Sequence, residues 1–226
     1  MKRNQLSFFT LCLSLSVGLV LTSCQQGWNK MVEAAYEGVP SQQYRLGYKL
    51  LARGEKGDAN RQAALQWFML GARKGYAPSQ VAVAACYQFG LAGKTDLHQA
   101  EHWYEKAAKQ DNVNAYRGLL SLALTRDDMT SAAPWLEKLA LRGDIASQML
   151  YANMLAEGQG VEPDPRKSVD FWRYAAISGD KDALLMMGMC YSQGWGVPQN
   201  NRLAIAWWKL ADEAGSGAAR QLLRGE

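Results

Sequence analysis

Large aromatic residues recur along this chain at a nearly constant interval. The intervals between successive members are 36, 32, 36 and 36 residues, and the members are Trp67, Trp103, Trp135, Phe171 and Trp207. We call this set the wedge column. Self-similarity at a fixed period of this length is typical of stacked repeats, in which each unit buries its apolar face only against its neighbours.

Other residue types keep fixed distances from the wedge column and predict a helix around each wedge. Seven residues before it stand Asn60, Asp96, Asp128, Asp164 and Asn200, and eight residues after it stand Gly75, Asp111, Gly143, Gly179 and Gly215. An Asn or Asp side chain accepts hydrogen bonds from the first turn of a helix, so the first set predicts N-caps. Glycine adopts a positive φ at low cost, so the second set predicts helix ends.

Each wedge helix is the second helix of its unit, and a first helix is predicted upstream of it. Small residues that allow close helix packing begin it at Ser79, Ala115, Ser147 and Ala183, and a second glycine stop ends it at Gly54, Gly90, Gly158 and Gly194. The third unit lacks that glycine and is four residues shorter, which predicts a tighter connection. Residues 34–38 match the end of a wedge helix, and residues 218–223 predict a short terminal helix. We therefore expect an all-α array of about five units with a half repeat before it.

The first residues of the chain are typical of a bacterial export signal. Lys2 and Arg3 precede the uncharged segment 6–21, and small residues then lead to Cys24. This ending resembles the lipobox of bacterial lipoproteins and implies acylation of Cys24; the alternative is an ordinary secretory signal with an incidental cysteine. Gln25, in place of aspartate, favours the outer membrane. We expect a signal peptide at 1–23, a linker and half repeat at 24–40, and a repeat array at 41–226.

Composition narrows the possible functions. The formal charge is +4, which becomes +2 after loss of Lys2 and Arg3, and this is far from the basic stripe of a nucleic-acid-binding protein. Residues 24–126 carry 13 basic and 8 acidic side chains, whereas residues 127–226 carry 10 and 13. Four cysteines are too few for a disulfide scaffold, and the repeat spacing predicts that Cys86 and Cys190 do not pair. We expect no cofactor and no small-molecule substrate.

One segment could carry enzyme chemistry. His98, Glu101 and His102 match H-x-x-E-H, a zinc-peptidase pattern. The equivalent positions in the other repeats are variable and mostly polar, which favours a solvent-exposed helix face. A metal-dependent hydrolase is therefore the unfavoured alternative, and we expect no catalytic or metal site.

The repeat units resemble a known family. Segments such as AEGQGVEPDPRKSVDFWRYAAISGD and SQGWGVPQNNRLAIAWWKLADEAGS resemble Sel1-like repeats, relatives of the tetratricopeptide repeat, and the resemblance extends over residues 30–226. It implies a right-handed α-solenoid whose concave face holds a protein. Similar lipoproteins neutralise lipase toxins delivered into the periplasm, whereas similar anchored repeat proteins serve as scaffolds for polysaccharide export. Both roles imply a periplasm-facing protein at the outer membrane that binds another protein and is not an enzyme.

The candidate binding residues are aromatic and methionine side chains outside the wedge column. Trp195 lies in an inter-helix loop, where exposed tryptophans are frequent binding hot spots. Methionines cluster in the first helices of the last two units, and flexible thioethers suit accommodating grooves. The candidates are Trp195, Met149, Met186, Tyr44, Tyr48 and Phe89. Packing within the protein is the alternative for each of them.

Overall fold

The computed structural model describes residues 26–52 and 58–225. Within these residues there are twelve α-helices and no strand, which confirms the all-α prediction. The helices are α1 (26–36), α2 (Pro40–Ala52), α3 (Asp58–Arg73), α4 (Ala77–Phe89), α5 (Leu97–Ala108), α6 (Val113–Thr125), α7 (Met129–Ala140), α8 (Ile145–Glu157), α9 (Pro165–Ile177), α10 (Lys181–Gln193), α11 (Asn201–Glu213) and α12 (Gly217–Arg224). None of the helices in this part of the chain is long and apolar enough to cross a bilayer.

The helices form two compact units. The N-terminal unit extends to Asp111 and contains α1 to α5, and the C-terminal unit starts at Asn112 and contains α6 to α12. Within each unit, helices adjacent in sequence pack against each other. The predicted half repeat is α1, whose Met31 and Ala35 are buried with Leu46 of α2, and the predicted terminal helix is α12.

The predicted N-caps are confirmed in four of the five units. The side chain accepts a hydrogen bond from the backbone N–H three residues later at Asp96, Asp128, Asp164 and Asn200. The prediction for Asn60 is wrong, because α3 begins at Asp58 and Asn60 therefore lies inside its first turn. The loop before α3 differs in sequence from the other inter-helix loops, so the fixed offset does not carry over.

Backbone dihedral angles confirm the predicted helix ends. The φ angles are 85°, 84°, 85° and 92° at Gly75, Gly143, Gly179 and Gly215. Asp111 of the same column also has a positive φ of 63°, so the chain keeps the turn where it lacks the glycine. After the first helices of their units, Gly90, Gly158 and Gly194 are left-handed C-caps, whereas Gly54 lies outside the described residues. The third unit connects α6 to α7 through residues 126–128 alone, as its shorter spacing predicted.

Two adjacent columns of the second helices form the core. In the wedge column, Trp103 and Phe171 are buried, whereas Trp67, Trp135 and Trp207 are partly buried. The large residue that follows each wedge is more deeply buried in most units, and this set consists of Phe68, Tyr104, Leu136, Trp172 and, partly buried, Trp208. The small residues three before the wedge are almost fully buried, and they are Ala64, Ala100, Ala132, Ser168 and Ala204. The small residues allow neighbouring helices to approach, and the large ones fill the space beside them.

Buried glutamines connect successive repeats. Gln43, Gln80 and Gln148 stand in the same position of their first helices, and each donates its Nε2 to the carbonyl of an alanine eight residues earlier, at 3.1, 3.3 and 3.0 Å. That alanine lies near the end of the preceding helix, and its carbonyl also accepts a hydrogen bond from the backbone N–H of the glycine three residues later, which is Gly38, Gly75 or Gly143. The glutamine therefore gives this carbonyl a second hydrogen bond and links one helix pair to the next.

In the C-terminal unit, the α8–α9 loop and the α10–α11 loop each contain a glycine that packs closely on a helix of the preceding repeat, α7 and α9 respectively. A Cβ at Gly196 would overlap the Pro165 carbonyl oxygen and lie 2.8 Å from Val169 Cγ2, and a Cβ at Gly160 would lie 2.7 Å from the Met129 carbonyl oxygen. Only a residue without a side chain allows this approach. Gly160 and Gly196, which follow the C-caps Gly158 and Gly194 by two residues, are thus packing positions between repeats.

Candidate functional site

A cleft of about 450 Å³ opens in the C-terminal unit between α8, α9 and α10. We call it the Met–Trp cleft. It is lined by Asn153, Ala156, Glu157, Trp172, Met186, Met189, Cys190, Gln193 and Trp195. α8 and α10, the first helices of the last two repeats, each present one face to the cleft.

The inner wall of the cleft is a pair of tryptophans. Trp172 is 3% exposed, and its Nε1 donates a hydrogen bond of 3.1 Å to Asn153 Oδ1. This bond satisfies the buried indole N–H and fixes the ring orientation. Trp195 packs on it with ring centroids 5.3 Å apart and an interplanar angle of 45°. Because Gly196 holds the loop against α9, the Trp195 ring is kept beside Trp172.

The rim of the cleft is polar, and Glu157 is the acidic residue of the lining. Asn153, Glu157 and Gln193 are exposed, and Met189 is 36% exposed beside them. Glu157 Oε2 accepts a hydrogen bond of 2.6 Å from Gln159 Nε2, which orients the carboxylate at the entrance. An apolar wall with a polar rim is the usual anatomy of a protein-binding patch.

Cys190 is part of the wall of the cleft. Burial raises the pKa of its thiol to about 11. At neutral pH the group is therefore an uncharged thiol, a poor nucleophile that acts as a small apolar side chain. Cys86, in the N-terminal unit, is also buried with a pKa raised by burial to about 11, and both cysteines are free thiols.

The structure brings together some of the predicted binding residues. Trp195 and Met186 line the Met–Trp cleft, whereas Met149 packs, partly buried, against the core of the C-terminal unit. Trp172 was not among the candidates, although its place directly after the wedge Phe171 was visible in the sequence. No sequence signal gave its direction, because the same position is occupied by core residues in the other repeats.

Two candidates of the N-terminal unit, Tyr44 and Tyr48, lie together on α2 with ring centroids 6.2 Å apart, whereas Phe89 lies on α4. Tyr44 belongs to an aromatic cluster, with its ring centroid 5.8 Å from that of Phe68 and 6.1 Å from that of Tyr76. Burial, together with the neighbouring tyrosines, raises the pKa of Tyr44. Tyr48 is 60% exposed, and Phe89, at the end of α4, is 65% exposed.

The segment that resembles a zinc-peptidase motif lies on α5. His98 and His102 are exposed, and Glu101 is partly buried. Within residues 26–52 and 58–225, no group of three or more His, Cys, Asp or Glu side chains is placed to hold a metal ion. The predicted acylation site Cys24 and the signal segment lie outside the described residues.

Comparison with protein families identifies the repeats. The Sel1 repeat model matches residues 43–76, 77–112, 145–180 and 181–216, which is more than half of the chain. The chain belongs to the Sel1 repeat family. The four matched segments correspond to α2–α3, α4–α5, α8–α9 and α10–α11, and the unmatched segment between them is the short third unit. Sel1 repeats and the related tetratricopeptide repeats generally mediate protein–protein interaction.

Similar proteins of known structure share the Sel1 fold. A Sel1 repeat protein from Oxalobacter formigenes is 26% identical with a TM-score of 0.57, and the match covers 92% of this chain and 86% of that one. A second, c5321, is described as a protective antigen present in uropathogenic Escherichia coli strains; it is 28% identical with a TM-score of 0.57, covering 86% of this chain and 42% of that one. These likenesses confirm the predicted solenoid class.

Sequence relatives are longer proteins. Chitin synthase regulatory factor 3 of Schizosaccharomyces pombe is 27% identical over 174 residues, which is 74% of this chain and 18% of that protein. An uncharacterized protein of Neisseria meningitidis serogroup B is 25% identical over 165 residues, or 67% of this chain and 32% of that protein. The chain thus spans less than a third of the length of either curated relative.

Proposed function

We propose that this Sel1 repeat protein binds a protein partner non-covalently in the Met–Trp cleft while acyl chains on Cys24 hold it at the periplasmic face of the outer membrane. The observation that carries the first part is the cleft itself. Trp172 and Trp195 form its wall, and Met189 stands partly exposed at its rim.

The side chains of the cleft suit a protein ligand. Tryptophan supplies a large contact area at low cost in conformational entropy and is enriched among binding hot spots. Met186 and Met189 are flexible and polarisable, so they adapt to the shape of an inserted side chain. The polar rim of Asn153 and Gln193 can pair with the partner's backbone and exclude water from the centre.

Site-specific photocrosslinking in cells tests the cleft. A photoreactive amino acid replaces Met189 in the cleft, and the control replaces Ile177, which is 72% exposed at the end of α9 in the same unit. We expect a discrete protein adduct from position 189 and none from position 177. The same adduct pattern from both positions, or none from position 189, contradicts the proposal.

The anchor is tested separately with Cys24→Ala. We expect this variant to lose acyl labelling and signal cleavage before residue 24, whereas Cys12→Ala keeps both. A Cys24→Ala protein that is processed normally and stays with the membrane contradicts the acylation proposal.

The identity of the adduct decides the biological role. Inhibition of a periplasm-delivered lipase is the role we favour, because an array of about five repeats suits a one-to-one inhibitor. Mass spectrometry of the position 189 adduct is then expected to find a lipase. A component of an envelope or polysaccharide-export assembly in its place would support the scaffold role instead.

A further inference from the structure

The proposed anchor restricts where the N-terminal unit can lie. Cys24, which is outside the described residues, is four residues before Trp28 of α1. A fully extended chain spans at most about 3.6 Å per residue, so Trp28 lies within about 14 Å of the acylated residue. Since the acyl chains are embedded in the bilayer, Trp28 is held close to the lipid headgroups.

A contact between α1 and α2 brings further residues to the same place. The Lys49 Nζ lies 5.1 Å from the centre of the Trp28 ring. Tyr48 precedes Lys49 and is 60% exposed, and Arg45, one helical turn earlier, is also exposed. We call Trp28, Arg45, Tyr48 and Lys49 the α2 surface. The short tether thus places this surface, and not only α1, near the membrane.

The chemistry of the α2 surface fits anionic phospholipid. Tyrosine and tryptophan favour the membrane–water interface, and lysine and arginine are attracted to anionic headgroups. A pocket of about 280 Å³ is lined by Tyr44, Arg45, Tyr48 and Lys49, and none of these side chains is acidic. The whole of α2 contains no Asp or Glu. The acidic residues nearest in sequence are Glu33 and Glu37 of α1, both exposed, and Glu55, which lies outside the described residues.

We propose that the α2 surface docks onto an anionic phospholipid bilayer and so orients the anchored protein. This inference rests on the acylation proposed for Cys24. A protein partner was the occupant expected for Tyr44 and Tyr48 from the sequence. The bilayer is favoured because the tether keeps it within reach at high effective concentration, so that even a weak contact is populated.

Fluorescence quenching by lipid tests the docking. Purified acylated protein is labelled with bimane at Ala52→Cys, an exposed position one turn beyond Tyr48, and at Ile177→Cys as the control. Cys86 and Cys190 are buried with thiol pKa values raised to about 11, so they label slowly. The protein is inserted into vesicles of brominated phosphatidylcholine, with and without phosphatidylglycerol.

We expect quenching of the Ala52 label in the vesicles with phosphatidylglycerol and none at Ile177. Each basic residue near an anionic surface strengthens binding about fivefold, so Arg45→Glu with Lys49→Glu is expected to lower the docked-to-free ratio at least 25-fold. The matched control is Lys94→Glu with Lys109→Glu, two exposed lysines of the same unit that change the net charge equally. This control is expected to keep the quenching.

Three results would overturn the docking while the anchor stands: an unquenched Ala52 label in protein that floats with the vesicles, equal quenching at Ile177, or equal loss in both charge variants. Protein that carries no acyl chains and does not float with the vesicles would refute the anchor itself. The docking proposal would then fall with it, because the tether places the α2 surface at the membrane.

Discussion

Substitution of Gly196 by alanine tests how the repeats of the C-terminal unit hold the Met–Trp cleft together. Gly196 has a φ of 68°, and its Cα faces the carbonyl of Pro165 and the side chain of Val169 on α9. Gly179 is the matched control, since its φ is 85° and an added Cβ would meet nothing within 4 Å.

The expected losses of stability differ between the two variants. A left-handed backbone costs a residue with a Cβ about 1–2 kcal/mol, and this is the whole cost expected for Gly179→Ala. At Gly196 the Cβ overlaps the Pro165 carbonyl oxygen, so the loop must lift from α9. Lifting the loop exposes Val169, now 1% exposed, and loss of valine burial costs roughly 1.5–3 kcal/mol more. We expect Gly196→Ala to lose about 2.5–5 kcal/mol in total.

Urea unfolding followed by far-UV circular dichroism measures both losses. With a slope of about 1–3 kcal/mol per molar urea, the two midpoints should lie roughly 1 M apart. Because the lifted loop carries Trp195, Gly196→Ala should also weaken the crosslink from position 189. A Gly196→Ala protein no less stable than Gly179→Ala would falsify the close docking of the loop on α9.

Three further predictions concern stability and thiol reactivity. Asn200→Ala removes the N-cap of α11 and should lower the unfolding free energy by about 1 kcal/mol in a urea titration, whereas an unchanged midpoint argues against the cap. The hydrogen bond of 2.6 Å to Glu137 raises the pKa of Lys167, so this pair stabilises the fold below pH 10.5 and the stabilisation is lost as the pH rises through the raised pKa. The unfolding free energy of Lys167→Met, measured by urea titration, should therefore be lower than that of the parent at neutral pH by about 0.5 kcal/mol, because the pair is partly exposed, and should converge with it at high pH. Cys86 and Cys190, with pKa values raised from 9.0 to about 11, should react with Ellman's reagent at least 100-fold more slowly in native than in urea-unfolded protein; equal rates would contradict their burial.

Features that depend on one residue and its own backbone were predictable from the sequence. A capping Asp accepts from the N–H three residues later, and a glycine allows a positive φ, whatever the rest of the protein does. Asp164 and Gly179 therefore appear where the repeat offset placed them. The N-cap prediction at Asn60 was wrong for a related reason. The offset from the wedge residue does not account for the different sequence of the preceding loop, and α3 begins at Asp58.

Features that depend on packing between helices were not predictable in this way. The direction of Trp172 follows from its hydrogen bond to Asn153 of another helix, and the position of Trp195 follows from the approach of Gly196 to α9. The buried glutamines are intermediate. Gln43 and Gln80 stand at the same position of their helices, but only the fold places a carbonyl of the preceding helix within reach of each side chain.

The most direct test of the proposed function is the yield of the position 189 adduct in protein that also carries Trp195→Ala. Removal of a tryptophan hot spot typically costs at least 2 kcal/mol, or roughly 30-fold in affinity. We expect the adduct to fall by about that factor at equal amounts of folded protein, whereas Leu203→Ala, an exposed site on α11, should leave it unchanged. An adduct that forms at the parent level without Trp195 would contradict partner binding in the Met–Trp cleft.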